Sequence, residues 1–305
     1  MCKHACGRIQ GMKEYSGFAT VYDMFMDNVP YEEWADYLHG LLIENGVKEG
    51  IVCELGCGTG KITRKLRDFG YDMIGVDLSQ EMLQIATEQE NELESINSKR
   101  DGKCAKGTQS TKKRDKEKGE ILYLNQDMRE FELYGSVAAI VSVCDSMNYI
   151  TEREDLLRVF KLVNNYLDPG GVFIFDMNTP YYYRKILGEQ TICDNRENGS
   201  LIWENYYDNE TKINEFDITI YISRNGDQNS KPKKKNQATD KTSTSGNESY
   251  LRLEETHYQR AYTVPEIKEL LKKAGMTDIK TYEVMTRETP NSKSERVYFV
   301  SHKVN

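Results

Sequence analysis

The feature that most constrains this chain is a glycine-rich turn lying directly between a predicted strand and a predicted helix. Residues 51–55 (IVCEL) form a short apolar run, residues 56–60 (GCGTG) form the turn, and residues 61–69 place apolar side chains at helical spacing. A turn this tight needs glycine, which adopts positive φ without strain and lets a ligand touch the backbone. The turn therefore predicts a ligand site at the end of a buried strand.

The spacing of these glycines argues against a dinucleotide site. The dinucleotide fingerprint places its third glycine three residues after the second, but Lys61 occupies that position and Gly60 comes one residue earlier. The N–H groups at the start of the following helix are still suited to an anion. We therefore expect a ligand that carries a carboxylate rather than two phosphates.

Strands and helices alternate along most of the chain. This alternation predicts an α/β fold with a mostly parallel sheet and helices on both faces. The seven predicted strands are 51–55, 71–76, 121–124, 137–143, 172–175, 279–286 and 296–301. Between the fifth of these strands and the last helix, tyrosine-rich segments alternate polar and apolar residues at period two, which predicts an inserted antiparallel β cap.

Two polar segments, residues 97–119 and 225–249, hold too few apolar residues to offset the entropy of ordering, so we expect mobile insertions there. They are rich in lysine, and their formal charges of +6 and +2 leave −16 on the rest of a chain whose total is −8. A body this negative would repel a polyanion, so a nucleic-acid partner is not expected.

Other classes are disfavoured by local features. No segment approaches the roughly 18 apolar residues of a membrane helix, and the N-terminus lacks the apolar run of a secretion signal, so we expect a cytoplasmic protein without a membrane partner. The seven scattered cysteines do not suggest a disulfide framework. Cys2, His4 and Cys6 could form only part of a zinc site, and we expect no metal.

Polar residues follow three of the predicted strands. Asp77 ends the second strand, where a carboxylate can accept both hydroxyls of a ribose, although an isolated Asp there could also cap a helix. Asp127 follows the third strand and can take the amino group of a purine, while Met128 can pack on the purine face. Residues 144–149 (CDSMNY) end the fourth strand, the usual place for residues that face the reacting atom.

Together these residues resemble the class I S-adenosylmethionine-dependent methyltransferases, over nearly the whole chain outside the two insertions. Residues 54–60 resemble the first motif of that family, Asp77 its ribose-binding acid, and residues 126–128 (QDM) its adenine-binding motif. Residues 168–171 (DPGG), before the fifth strand, are also typical of the family. The resemblance implies a Rossmann-like fold, S-adenosylmethionine as cofactor and methyltransferase activity.

The N-terminal aromatic residues are similar to the lid of the small-molecule branch, which includes glycine N-methyltransferases and amino-sugar N,N-dimethyltransferases. By this resemblance Tyr15, Tyr22 and Trp34 contact cofactor or substrate; alternatively, an amphipathic helix packs them on the core. Residues 1–11 have no counterpart in the family, and we expect a disordered tail or an upstream start codon. The predicted methyltransferase domain then comprises residues 12–180 with 263–305, and the cap residues 181–262.

The residues assigned to the cofactor come from these motifs, the lid and the strand ends. They are Tyr15, Tyr22, Trp34, Glu54, Gly56, Cys57, Gly58, Thr59, Gly60, Asp77, Leu78, Met82, Gln126, Asp127, Met128, Cys144 and Asp145.

Methyl transfer from a sulfonium mainly requires alignment and exclusion of water, and a base only where the nucleophile arrives protonated. Histidine ordinarily titrates near neutral pH, so His257 in the cap could accept a proton; alternatively, it is a polar histidine at the rim. The predicted catalytic residues are His257, Tyr149 and Arg260, and the further candidates to touch substrate are Asn178, Tyr182, Glu204 and Tyr258.

Three functions compete at this point. The favoured one is methyl transfer to a nitrogen or oxygen of a small molecule, by a monomer or a homodimer. An RNA methyltransferase would use the two basic insertions to hold phosphates. A non-catalytic S-adenosylmethionine-binding protein would keep the glycine turn and Asp77 without a working substrate site.

Overall fold

The computed structural model describes residues 19–101, 119–223 and 249–304. The helices are α1 (Ala19–Phe25), α2 (Tyr31–Glu44), α3 (Lys61–Asp68), α4 (Gln80–Asp101), α5 (Arg153–Tyr166) and α6 (Val264–Lys273). The strands are β1 (Ile51–Leu55), β2 (Asp72–Asp77), β3 (Ile121–Asn125), β4 (Val137–Ser142), β5 (Leu167–Asn178), β6 (Thr191–Arg196), β7 (Gly199–Asp208), β8 (Ile213–Ser223), β9 (Tyr250–Arg260), β10 (Met276–Glu283) and β11 (Arg296–Lys303). A 3₁₀ turn (Ser146–Tyr149) follows β4, and a π-helical turn (Tyr182–Leu187) follows β5.

Seven of the strands form one sheet in the order β10-β11-β5-β4-β1-β2-β3. The five strands from β5 to β3 run parallel to one another, and β11 pairs antiparallel with both β5 and β10. The predicted Rossmann-like, mostly parallel sheet of seven strands is therefore confirmed. Because β1, β2 and β4 are adjacent and parallel, their carboxyl ends meet at one edge of the sheet.

Helices cover both faces of this sheet, because successive residues of a buried strand point to opposite sides. In β5, Phe173 lies in the core cluster that includes Phe160 of α5, with ring centroids 5.8 Å apart, whereas Ile174 lies in the cluster that includes Leu38 of α2. The sequences of these strands are therefore continuous apolar runs, as expected for a sheet buried on both faces.

The other four strands form an antiparallel sheet in the order β6-β7-β8-β9, inserted between β5 and α6. The predicted antiparallel cap is thus confirmed, although β6 and the π-helical turn were not predicted. Alternate residues of β7 and β8 form its apolar inner face, and Phe25 of α1 packs against Leu201, Phe216 and Ile220 there.

The cap is attached to the carboxyl edge of the larger sheet through the buried Asn148. Its side-chain amide donates to the carbonyl oxygens of Arg260 at 2.8 Å and Asn178 at 3.2 Å, and its oxygen accepts from the Asn178 N–H at 2.9 Å. These bonds hold the end of β9 beside the end of β5, next to the ends of β4 and β1.

Some predicted boundaries were wrong. Helix α4 continues to Asp101, so residues 97–101 belong to a helix rather than to an insertion, and β5 begins at Leu167, so residues 168–171 lie within a strand. Residues 1–18, 102–118 and 224–248, with the predicted tail and most of both insertions, lie outside the described residues. None of the described helices combines the length and apolar character needed to cross a membrane.

Candidate functional site

The glycine turn after β1 is built from left-handed backbone. Gly56, Gly58 and Gly60 have φ of 74°, 53° and 73°, a region that side-chain-bearing residues rarely adopt. Hydrogen bonds from the N–H groups of Gly56 and Cys57 to the Val76 carbonyl, at 2.8 and 3.1 Å, hold the turn against β2. A Cβ added to Gly56 would meet Ser146 at 2.7 Å, whereas one added to Gly58 would meet nothing within 4 Å. The turn is therefore packed at Gly56 and open at Gly58.

Asp77 lies directly beside this open position. Its carboxylate accepts hydrogen bonds from the N–H of Gly58 at 2.7 Å and from the N–H of Ser79 at 2.8 Å. Burial raises the pKa of Asp77, and these backbone donors oppose the increase. The next residue, Leu78, is 58% exposed, unusually so for a large apolar side chain at the end of a buried strand. A hydrogen-bonding carboxylate and an uncovered apolar side chain thus flank the turn.

Glu54, Cys57 and Met82 were assigned to the cofactor; their side chains are buried, and their contact with cofactor remains a prediction. The Glu54 carboxylate accepts the hydroxyl hydrogen of Thr63 in α3, and burial raises the pKa of Glu54 to about 8 despite this bond. The Cys57 sulfur lies against β2, where it would contact a Cβ added to Gly75 at 2.9 Å. Their side chains hold the turn in place, so a ligand would meet the backbone there.

Helix α1 closes over the turn through Asp23. This carboxylate accepts hydrogen bonds from the hydroxyl of Thr59 at 2.9 Å and the amide of Gln89 in α4 at 2.7 Å, and it pairs with Lys61 at 3.1 Å. Asp23 was not predicted as a site residue, although it directly follows Tyr22, which was assigned to the lid.

The predicted lid aromatics lie on the other side of the site. Burial and the neighbouring Tyr31 raise the pKa of Tyr22, which also lies near Cys144. Trp34 of α2 covers the guanidinium of Arg296, whose Cζ is 5.3 Å from a Trp34 ring centroid. Tyr15 lies outside the described residues. The structure therefore brings Tyr22 and Trp34 to the carboxyl edge of the sheet, and their contact with cofactor remains a prediction.

The loop after β3 contributes one side chain to the turn. Met128 would lie 3.4 Å from a Cβ added to Gly56, so its thioether methyl is beside the glycines. The side chain of Gln126 pairs with the backbone N–H and carbonyl of Glu132. Both carboxylate oxygens of Asp127 accept from Arg129 at 2.5–3.0 Å. Gln126 and Asp127 thus stabilise their own loop, and their contact with a purine remains a prediction.

At the end of β4 the chain turns through two left-handed residues, Cys144 and Asp145, with φ of 59° and 54°. Their N–H groups donate to the fully buried Asp176 at 3.3 and 2.8 Å. The Asp145 carboxylate accepts from Arg296 at 2.7 Å and from Gln259 of the cap at 2.6 Å, and Arg296 also bonds Asp176 at 3.0 Å. The structure pairs the Asp145 carboxylate with these two side chains, and contact of Asp145 with cofactor remains a prediction.

The inner face of β9 carries a carboxylate–imidazole pair. His257 Nε2 is 3.2 Å from the Glu255 carboxylate, and the two side chains are 1% and 10% exposed. The imidazole stacks on Phe216, with centroids 5.2 Å apart and planes 8° apart, and meets the edge of Tyr149 at 5.8 Å. His257 is therefore a buried, oriented group at the junction of cap and sheet, rather than a histidine at an exposed rim.

Arg260 does not join this pair. Because side chains alternate along a strand, Arg260 lies on the face of β9 opposite to His257. Its guanidinium donates to the Thr151 carbonyl at 2.9 Å and lies over the ring of Tyr262, where it anchors the end of β9. Tyr258 and Glu204, on the same outer face of the cap, are exposed. The structure therefore does not bring Arg260 beside His257, and a catalytic role for Arg260 remains a prediction.

Two other substrate candidates lie where β5 ends. Asn178 is buried, and its backbone bonds to Asn148 hold the strand end in place. Tyr182 is partly buried and meets Tyr183 edge-on at 5.4 Å, and burial together with Asp145 raises its pKa. Both candidates therefore lie near the end of β4, and their contact with substrate remains a prediction.

Sequence reasoning missed Asp176, Glu255, Gln259 and Arg296, and it included Ser146 only as a member of the segment 144–149. Two of them carried a usable signal, because Asp176 interrupts an apolar strand and Glu255 lies two residues from His257, on the same strand face. Within the described part of the chain, no group of three His, Cys, Asp or Glu could hold a metal ion, and Cys2, His4 and Cys6 lie outside that part.

The residues at this edge fit a ligand that joins a nucleoside to an amino acid. The space beside the Gly58 backbone, called the cradle below, is open to a ligand atom. Asp77 offers a carboxylate for hydroxyl groups, and Leu78 and Met128 offer apolar surface for a base. Helix α1 and the cap both contact this edge, through the bond of Thr59 to Asp23 and the bond of Gln259 to Asp145. This donor set matches the cofactor that the sequence resemblance implies.

Comparison with known proteins gives an independent result. Residues 25–281 match the methyltransferase domain family. The putative methyltransferase YqeM of Bacillus subtilis (strain 168) is 29% identical over 290 residues, which cover 95% of this chain and 97% of that protein.

Solved structures agree with the fold. The crystal structure of an S-adenosylmethionine-dependent methyltransferase from Clostridium acetobutylicum ATCC 824 matches with a TM-score of 0.70 and 26% identity, and the match covers 95% of this chain and 99% of that one. The sugar N-methyltransferase KedS8 from Streptoalloteichus sp ATCC 53650 matches with a TM-score of 0.62 and 15% identity, over 100% and 98% of the two chains.

Proposed function

Because the chain belongs to the methyltransferase domain family, we propose that it transfers the methyl group of S-adenosylmethionine to a nitrogen or oxygen of a small molecule. It is an S-adenosylmethionine-dependent enzyme, as its family and structural relatives are. The observation that carries the proposal is the pairing of the Gly58 N–H with Asp77 at 2.7 Å, beside an open cradle on the carboxyl edge of the sheet.

Different residues of the site would bind different parts of the cofactor. Asp77 would accept the ribose hydroxyls, Leu78 and Met128 would pack on the adenine, and the Gly56–Gly60 turn would face the methionine portion. Bound S-adenosylmethionine supplies a methyl group already activated on a positively charged sulfur, so the protein needs mainly to align the acceptor.

Helix α1 and the cap would exclude water from the methyl-transfer site. Asp23 ties α1 to Thr59 of the turn and to Gln89 of α4, and Phe25 of the same helix packs in the cap core. A closed site strengthens the electrostatic contacts within it and keeps water from competing with the acceptor.

His257 is the group placed to handle a proton. Glu255 can accept the Nε2 hydrogen of its imidazole, a bond that fixes the ring orientation and leaves Nδ1 as the basic atom. An amine that arrives as an ammonium ion would give its proton to Nδ1, and its nitrogen lone pair would then be available as a nucleophile. Tyr149 packs on the imidazole edge and holds it against Phe216.

Three features favour a small molecule over RNA. The acceptor space lies under the cap, the chain outside the two predicted insertions carries a formal charge of −16, and the carboxylates of Asp77, Asp145, Asp176 and Glu255 lie around the site. The structural relative KedS8, a sugar N-methyltransferase, supports a nitrogen acceptor.

The test is S-adenosylhomocysteine formation by the full chain, over a panel of small amines, small alcohols and an unmodified transfer RNA. We expect turnover with members of the amine group. Salt-sensitive turnover with the RNA alone would contradict the proposal, as would cofactor binding without turnover of any panel member.

A further inference from the structure

Several buried polar atoms on the inner face of the cap have no hydrogen-bond partner among the described residues. They are the indole nitrogen of Trp203, the side-chain oxygen of Asn205, and both polar atoms of the Asn214 amide. Asn214 is 0% exposed and Asn205 is 7% exposed. A buried polar group without a partner costs about 1–3 kcal/mol, so such groups are rare in native proteins unless a water or ligand meets them.

These three residues form one patch. Trp203 and Asn205 are two residues apart on β7 and so point to the same side of the sheet. Asn205 pairs with Phe216 of β8, which places Asn214 in the diagonal position, about 7–8 Å away. Asn205 and Asn214 therefore lie within the width of one small ring-shaped molecule. Trp203, which pairs with Ile218, lies on the far side of Asn205, about 14 Å along the strands from Asn214.

The patch lies at the end of the cap that faces the carboxyl edge of the larger sheet. Asn214 pairs with Gln259 of β9, and Gln259 donates to Asp145 at the end of β4. His257 pairs with Phe216 in the same sheet, so the imidazole is one strand away from the patch. Farther along the same face the residues are apolar, for example Leu201 and Ile220.

The chemistry of the patch is neutral. Trp203 offers a donor, Asn205 an acceptor, and Asn214 one group of each kind. None of the inner-face positions in the described parts of β7, β8 and β9 holds Lys or Arg, so an anionic group would find no counter-charge there. Hydroxyl groups are neutral and both donate and accept hydrogen bonds, so they match the donors and acceptors of the patch.

We propose that Trp203, Asn205 and Asn214 bind the methyl acceptor, and that this acceptor carries several hydroxyl groups next to its nucleophile and no anionic group. This inference rests on the proposed function, because it assigns the second substrate of the same reaction. The unpartnered atoms would gain their hydrogen bonds only when the acceptor is bound.

The test measures acceptor binding by calorimetry on the full chain saturated with S-adenosylhomocysteine. The probes are hexoses with an amino group at carbon 2, 3 or 4, cyclohexylamine as the ring without hydroxyls, and glucosamine 6-phosphate as the anionic form. We expect at least one aminohexose to bind about tenfold or more tightly than the other two probes. Equal binding of cyclohexylamine, tighter binding of the phosphate, or no aminohexose binding would overturn the inference.

The variant Asn214→Leu separates a ligand contact from a structural one. Leucine removes two unpartnered polar atoms, so the free variant should melt at the same temperature as the wild type or higher, yet bind the aminohexose about tenfold more weakly. The exposed Asn209→Leu should change neither property. A lower melting temperature with unchanged binding would show that Asn214 serves the fold. If the wild type shows no binding of S-adenosylhomocysteine, that result would instead contradict the proposed function.

Discussion

The amide of Gln259 in the cap donates a hydrogen bond to the carboxylate of Asp145, at the end of β4, over 2.6 Å. The oxygen of the same amide accepts the hydroxyl of the buried Tyr183 at 2.9 Å. Gln259 is 4% exposed, so the bond to Asp145 crosses between cap and sheet with little access to water. One side chain therefore couples the position of the cap to the strand end where methyl transfer is expected.

Replacement of Gln259 by Met should loosen this junction. The change removes one buried hydrogen bond from Asp145, which keeps its bond to Arg296, and one from Tyr183, so we expect a loss of about 1–3 kcal/mol in the free energy of unfolding, measured in urea. The KM for the acceptor should rise while the Kd for S-adenosylhomocysteine stays within about twofold. The exposed Gln84→Met serves as control, and equal stability of the two variants would contradict the prediction.

Alanine substitutions at three left-handed glycines should have different consequences. Gly60→Ala brings a Cβ to within 2.3 Å of the Tyr123 hydroxyl and should destabilise the fold. Gly58→Ala and Gly46→Ala meet nothing within 4 Å, so each should cost only the backbone strain of about 1–2 kcal/mol. Only Gly58→Ala should weaken S-adenosylhomocysteine binding without a matching loss of stability, because its methyl group enters the cradle. Thermal melts with and without S-adenosylhomocysteine check this, and similar ligand-induced shifts for Gly58→Ala and Gly46→Ala would count against the cradle.

Stability should depend on pH through Glu54. Burial raises the pKa of Glu54 to about 8 from an ordinary value of 4.5, so the folded chain holds this proton more tightly than the unfolded chain does. Its contribution to stability is complete below pH 4.5 and is lost as the pH rises toward 8. The free energy of unfolding of the wild type, relative to Glu54→Gln, should fall by up to about 1.4 kcal/mol per pH unit in that interval. The difference between the wild type and the exposed Glu130→Gln should show no such slope. A difference between the wild type and Glu54→Gln that does not change with pH would show that Glu54 ionises normally and would contradict the prediction.

His257 and Glu255 should be separable by their pH–rate profiles. His257→Gln removes the proton acceptor and should lower kcat/KM about 100-fold or more for an ammonium acceptor, with loss of the acidic limb. Glu255→Gln should keep the limb and lower the rate less, because the imidazole remains and only the partner that orients it is lost. Tyr149→Phe keeps the ring contact with the imidazole and serves as the control. Profiles of unchanged shape in both variants would show that this pair is structural.

Much of the fold could be predicted because its signals are local. The apolar strands and the glycine turn each follow from neighbouring residues, and the turn does have left-handed backbone at Gly56, Gly58 and Gly60. Residues 97–101 (NSKRD) were assigned to the first insertion rather than to helix α4 because they contain no apolar residue and so lack the spacing that indicates a helix. Strand β6 escaped prediction because, at the edge of the cap, it has mostly exposed residues.

The site was less predictable because its contacts are distant in sequence. Arg296 meets Asp145 across 151 positions, and no local pattern indicates that pairing. Along β9, residues two apart share a face of the sheet and residues three apart do not. This alternation could have predicted that Glu255 lies on the same face as His257 and that Arg260 lies on the opposite face. The inward direction of the Cys57 side chain could not be predicted, because a residue between two glycines of a turn can point either way.

The role of Asp77 as ribose acceptor is the central claim. The most direct measurement is calorimetric titration of S-adenosylhomocysteine into the wild type, Asp77→Asn and the exposed Asp72→Asn. We predict that Asp77→Asn binds at least about tenfold more weakly, because an amide replaces one acceptor oxygen with a donor, and that Asp72→Asn matches the wild type. Wild-type affinity in Asp77→Asn, or no measurable binding by the wild type itself, would contradict the account.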